Sequence, residues 1–143
     1  MPYRFLEDIA IADVAFEATG KSREEMFISA ADALLNVMVA DPERVRLTEK
    51  LVFSLENESM EMLLFNFLNE LIFYKDAHRL LLRLTTVTIN LSDANFILMS
   101  EACGERLDPA RHPLLVDVKA VTLHRFRVEE TGKGWLAEVV LDI

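Results

Sequence analysis

A single cysteine, Cys103, in 143 residues excludes an internal disulfide, and cysteine poverty fits a reducing compartment. Glycine and proline number four each, too few for a collagen-like or linker-rich chain. Basic residues are also short. Fifteen Lys and Arg stand against 24 Asp and Glu, for a formal net charge of −9. A protein that grips nucleic acid unaided needs a basic surface to displace counterions from phosphates. The most basic stretch here is the sparse series Lys119, Arg125, Arg127, so strong direct nucleic-acid binding is not expected. Attachment to anionic lipid is disfavoured for the same reason. The N-terminus carries charge at Arg4, Glu7 and Asp8 and lacks the apolar core of a signal peptide. Residues 60–74, the most apolar long stretch, are interrupted by Glu61, Asn66, Asn69 and Glu70, and are too short and polar to span a bilayer. A soluble, cytoplasmic protein without a membrane partner is expected. Signatures of the familiar enzyme classes are missing too: no phosphate-binding Gly-rich loop, no Gly-x-Ser-x-Gly, no His-Glu-x-x-His.

What the chain does have is apolar residues, 52% of the total, with 27% charged. At 16.3 kDa it suits one domain over residues 1–143, burying roughly 68% of its unfolded surface without staples. Residues 3–6 read as a short strand. Residues 12–18 alternate, with Val14, Phe16 and Ala18 on one side and Asp13, Ala15 and Glu17 on the other, which is the period of a half-buried strand. After Gly20, Ser22 and Glu25 form a capping box, and Met26, Phe27, Ala30, Ala31, Leu34, Leu35 and Met38 repeat at helical spacing, predicting a helix over 23–39. Alternation returns over 46–56. Ser59 can cap a second helix with a wide apolar stripe, ending near Asp76. Strands follow at 79–90, 96–105, 118–128 and 135–143, the last two joined by the hairpin signal Thr131-Gly132-Lys133-Gly134. Two helices not interleaved with about seven strands predict an α+β fold: a single-domain sandwich of mostly antiparallel β-sheets packed around two α-helices.

Few residues suggest chemistry. Cys103 could be a nucleophile with His112 or His124 as base; the plainer reading is a small buried apolar residue. His78, His112 and His124 show no zinc-ligand spacing, which favours structural or exposed roles. Strict alternation would turn His124 toward the core, on the face of Val118, Ala120, Thr122 and Phe126. It would set Lys119 with Arg125 and Arg127 on a charged face, either solvated or in contact with a partner. Glu70 interrupts the second helix. It faces solvent, caps backbone groups, or pairs with a base such as Lys119. The chain ends hold the most suggestive set. Asp13 lies in the strand Ala12-Asp13-Val14-Ala15-Phe16, and Asp142 in Val139-Val140-Leu141-Asp142-Ile143, beside the expected α-carboxylate of Ile143. If these strands meet, carboxylates about 4–5 Å apart repel by roughly 3–4 kcal/mol at an effective dielectric near 20. Protonation, separation or a hard divalent cation would relieve that repulsion.

Several short motifs, taken in order, resemble the archease family. They are Phe5-Leu6-Glu7, then Asp13-Val14-Ala15-Phe16 leading to Gly20, then Glu61-Met62-Leu63-Leu64 with Leu68-Asn69-Glu70-Leu71 and Asp76. Gly104-Glu105-Arg106-Leu107-Asp108 with His112, Val118-Lys119-Ala120-Val121-Thr122-Leu123-His124, Trp135 and the closing Asp142-Ile143 complete the set. The resemblance implies a non-catalytic cofactor of RtcB-type RNA-splicing ligases, one that promotes guanylylation and multiple turnover in tRNA splicing and RNA repair. It implies antiparallel sheets around two helices. It also implies a divalent metal, usually Ca²⁺ with Mg²⁺ or Mn²⁺ as alternatives, on Asp13, Asp142 and Ile143. Lys119 and Glu70 are candidate partner contacts. One departure stands out. The family's His-Thr-Ala-Asp falls on Ala10-Ile11-Ala12-Asp13 when aligned from Gly20, without its histidine. Aligned from Phe5-Leu6-Glu7, the histidine's place is taken by Asp8, an accessory ligand in that case. The alternative function is a protein-interaction or chaperone-like module without a functional metal site.

Overall fold

The computed structural model describes residues 2–6 and 13–143. Two local signals in the sequence start its two helices. Ser22 Oγ accepts the Glu25 N–H at 3.1 Å, and the Glu25 carboxylate reaches back to the Lys21 N–H at 2.6 Å, one residue beyond the usual reciprocal bond. Helix α1, Arg23–Met38, follows and buries Met26, Phe27, Ala30, Leu34 and Leu35 along one broad side. Ser59 Oγ accepts the Met62 N–H at 3.3 Å and opens α2, Met60–His78. That helix ends where Arg79 turns left-handed, its N–H closing on the Tyr74 carbonyl.

Among the described residues, seven strands surround the helices: β1 Tyr3–Phe5, β2 Asp13–Gly20, β3 Glu49–Asn57, β4 Leu80–Ser92, β5 Asn95–Arg106, β6 Ala120–Thr131 and β7 Gly134–Asp142. They form two antiparallel sheets, ordered β1-β2-β7-β6 and β3-β5-β4. Both helices lie between them: α1 packs on β2, β7 and β4, while α2 packs on β6, β3, β4 and β5. The architecture is α+β, as the alternating and helical periods imply. One contiguous buried cluster joins Phe16, Val139 and Leu141 of one sheet, Phe27, Leu34, Phe67 and Leu68 of the helices, and Ile89, Leu98 and Ala102 of the other sheet. No helix among the described residues is long and apolar enough to cross a membrane.

Two expectations need correction. The strand expected from residue 46 begins at Glu49. A single 3₁₀ turn, Pro42–Arg44, precedes it, and the Arg46 N–H goes to the Glu105 carboxylate instead of a strand ladder, leaving Leu47 exposed. The second correction concerns His124. Pairing between β6 and β7 runs Ala120↔Asp142, Val121↔Leu141, Thr122↔Val140, then resumes at Arg127↔Glu138. Residues 123–126 thus stand opposite Val139 alone, with Arg125 at φ 54°. This bulge resets the alternation. His124 is exposed, not core-facing, and Phe126 turns inward onto the Phe65 ring at 5.7 Å. Arg125 and Arg127 remain in contact with solvent, and both also reach the buried Glu138, at 3.4 and 3.7 Å.

Candidate functional site

Strand pairing decides what the two acidic chain ends can do. Asp13 opens β2 and Asp142 ends β7, and the two are register partners; on its other side Asp142 faces Ala120 of β6. Directly opposed residues of antiparallel strands point to the same side of the sheet, with Cβ atoms about 4.5–5.5 Å apart. Val139 and Leu141 belong to the core cluster, so alternation sends Glu138, Val140 and Asp142 to the outer face. Asp142 is exposed and Asp13 half-buried. Ile143 lies on the core side of the same strand end, packed against the buried cluster. The Lys119 N–H donates to the Asp142 carbonyl at 2.8 Å, which brings exposed Lys119 to the same corner. Asp8 lies outside the described residues.

A second pair of opposed acids on that face provides a comparison. Glu17 and Glu138 are also register partners. Arg4 neutralises Glu17 at 3.1 Å, and Arg125 and Arg127 neutralise Glu138. Among the described residues, no ion pair reaches Asp13 or Asp142. Two opposed hard oxygen ligands without a cationic side chain suit a divalent cation of the Ca²⁺ or Mg²⁺ kind. Among the described residues, no three side chains of His, Cys, Asp or Glu gather as a metal-binding group. Among the described residues, any further ligand would come from the main chain, or from Ile143 as the family resemblance implies.

Helix α2 supports this corner. Asn69 Oδ1 accepts the Val121 N–H at 3.2 Å; the neighbouring Asn69, not Glu70, satisfies the backbone. Glu70 is half-buried and forms no ion pair with Lys119 among the described residues. It lies beside Tyr74, whose hydroxyl pKa is raised by burial first and by the Glu70 carboxylate second. Lys75 is buried on the same helix and binds Asp117 and Asp76. Its place four residues after Leu71 and three after Ile72 continues the apolar stripe, and that spacing was the available signal.

The other candidates are not brought together. Cys103 is half-exposed on the outer face of the three-stranded sheet, between Lys50 and Arg83, whereas His124 belongs to the other sheet. His112, 1% exposed, is committed: its Nδ1 accepts the Asp108 N–H at 2.9 Å and Nε2 donates to Glu105 at 2.8 Å. Glu105 also binds Arg111 through both oxygens at 2.8 Å. The Arg46 N–H first, then His112 and Arg111, hold the Glu105 pKa at about 2 against opposing burial. A depressed carboxylate pKa stabilises the fold above the unfolded value and loses that contribution as pH falls toward about 2. Stability measured by urea unfolding should therefore drop between about pH 4.5 and 2. Glu105→Gln should lower stability at pH 6 and flatten that drop; an unchanged acid slope would contradict the assignment. A groove of about 640 Å³, lined by Lys21, Ile28, Asp32, Lys133, Trp135 and Leu136 among others, opens at the opposite end of the β2–β7 pairing from Asp13 and Asp142.

Comparison with known proteins bears on the family and the fold. Residues 3–143 match the model of the archease protein family (MTH1598/TM1083). The protein archease of Pyrococcus abyssi is 37% identical over 133 residues, 92% of this chain and 93% of that one. Protein archease of Archaeoglobus fulgidus is 34% identical, with both chains fully covered. The solution structure of Methanobacterium thermoautotrophicum protein 1598 superposes with a TM-score of 0.87 at 30% identity, covering 99% of each chain. A crystal structure from Thermotoga maritima, described as an archease, possible chaperone, shares the fold at a TM-score of 0.62 and 21% identity, covering 94% of this chain and 93% of that one. With the match spanning nearly every residue, both sheets and the corner where Asp13 meets Asp142, the chain belongs to the archease family.

Proposed function

We propose that this protein is a non-catalytic accessory factor that activates an RtcB-type RNA ligase, promoting guanylylation and multiple turnover in tRNA splicing and RNA repair. Asp13 and Asp142, with Ile143, would hold a divalent cation, Ca²⁺ first and Mg²⁺ or Mn²⁺ as alternatives. The observation that carries the reading is the contrast between two acid pairs on one sheet face. Glu17 and Glu138 are matched by three arginines, and among the described residues Asp13 and Asp142 are matched by none. When bound, the cation would supply positive charge that neutralises the facing carboxylates of β2 and β7.

The chain's own residues do the rest. The main-chain bond from Lys119 to Asp142 fixes exposed Lys119 at the strand end that carries Asp142, and Glu70 follows Asn69, which holds the Val121 N–H of the same strand. A net charge of −9 favours docking on a basic protein over direct contact with RNA. Such docking is steered by charge and weakens as salt rises. A second reading, an interaction or chaperone-like module without a functional metal, draws on the exposed Leu114 and Leu115 in the segment leading to Lys119, at 49% and 58% exposure.

The test is guanylylation of a cognate ligase in the presence of wild type, Asp13→Ala or Asp142→Ala. Loss of stimulation in both variants, with their far-ultraviolet spectra unchanged, is the expected outcome. Full stimulation by both would remove the metal corner from activation and leave the interaction module. No stimulation by wild type would overturn the ligase reading itself.

A further inference from the structure

Helix α2 carries one ammonium into the interior, and all of its donors are used. Lys75 is 8% exposed. Its Nζ meets Asp117 Oδ1 at 2.6 Å, Asp76 Oδ1 at 2.7 Å and the Val118 carbonyl at 2.9 Å. Three protons thus have three acceptors, the full capacity of a lysine head group. Burial alone would depress the Lys75 pKa, but the Asp117 and Asp76 hydrogen bonds and charges outweigh it and raise the value. The ammonium is therefore charged, and its removal would leave the Val118 carbonyl without its partner.

What the clamp holds is short of other support. Only Ala120, Val121 and Thr122 pair with β7 before the bulge interrupts the ladder. Asn69, earlier on the same helix, accepts the Val121 N–H. Lys75 and Asn69 thus grip residues 117–121 from both ends, and Lys119 and Ala120 stand between the grips. Those two residues are the ones that meet Asp142, one by its N–H and the other by strand register.

We propose that Lys75 is a positioning residue. With Asp117 it forms an internal ionic clamp that fixes the start of β6 against β7, and so sets Lys119 and Asp142 in place beside Asp13. The cation arm of its test rests on the metal reading above; the hydrogen-exchange arm does not.

The experiment compares wild type, Lys75→Met and Asp117→Asn. Methionine keeps the apolar stem and removes the charge. Asp117 is 79% exposed at its side chain, so its variant folds without a buried void. Amide hydrogen exchange is read at Lys119 and Val121, with Ala102 in the central strand β5 as reference. Both variants should speed exchange at Lys119 and Val121 by about tenfold or more beyond any change at Ala102, the methionine variant more strongly. Titration with Ca²⁺ alone should show several-fold weaker binding by Lys75→Met than by wild type. Equal acceleration at Lys119 and Ala102 would show uniform destabilisation and overturn the clamp. Unchanged exchange in both variants would overturn it as well. Local acceleration with Ca²⁺ affinity unaltered would contradict the placing of Asp142. A wild type that ignores Ca²⁺ would defeat the metal reading, while exchange at Lys119 would still decide the clamp.

Discussion

Alanine at Gly104 should cost this protein about 3–5 kcal/mol, enough to remove a large share of a stability near 5–15 kcal/mol. Gly104 lies in β5, the central strand of its sheet, opposite Leu82 on one side and Glu49 on the other. A Cβ there would stand 1.7 Å from the Leu81 carbonyl oxygen and 2.8 Å from its carbon. Both are backbone atoms, so no side-chain rotation relieves the contact. β4 has to move away, and ladder hydrogen bonds on that side go with it. The Thr48 N–H, which donates to the Gly104 carbonyl at 3.1 Å, ties the opposite side and prevents the strand from simply sliding. Urea unfolding followed by circular dichroism measures the loss. A change under about 1 kcal/mol would mean that the strands do not approach so closely.

Phe67→Ala should be of similar size, about 3–5 kcal/mol, through a cavity rather than a clash. The Phe67 ring is fully buried on α2, with centroids 5.3 Å from Phe27 on α1 and 6.0 Å from Phe53 on β3. It therefore joins both helices to the three-stranded sheet. Phe53 is held by strand pairing and Phe27 by the packing of α1, so neither collapses freely into the space. Thermal melting should fall by roughly 10–20 °C. A shift of only about 3 °C would place the centre of the core elsewhere. The variant also loosens the helix that carries Asn69 and Lys75, so the corner around Lys119 should weaken with it.

Much of this was legible because it was local. The caps at Ser22 and Ser59 read directly from side chains three residues from the amides they satisfy. Alternation alone sets the side on which each terminal-strand aspartate emerges once Phe16 and Leu141 are buried; that Asp13 and Asp142 then face each other came from the strand pairing. What stayed hidden depended on breaks in the ladder or on distant partners. His124 was misplaced because period-two reasoning assumes an unbroken strand, and residues 123–126 bulge with Arg125 left-handed. Arg125 and Arg127 read as a charged face, solvated or in contact with a partner; that they also compensate Glu138, on the next strand, was not visible. Lys75 was not singled out, because its acceptors Asp117 and Val118 come 42 and 43 residues later. The Glu105–His112 bond was similarly invisible, since no periodicity marks a loop folding back onto its own strand.

Calorimetric titration of the metal-stripped protein with Ca²⁺, set beside Asp13→Asn and Asp142→Asn, tests the cation site most directly. Asparagine keeps the shape of each side chain and removes its charge. Wild type should bind one equivalent, and each variant should bind more weakly by about a hundredfold or more, as expected when a site with few charged ligands loses one. No heat from wild type, or equal affinity in all three proteins, would contradict the site.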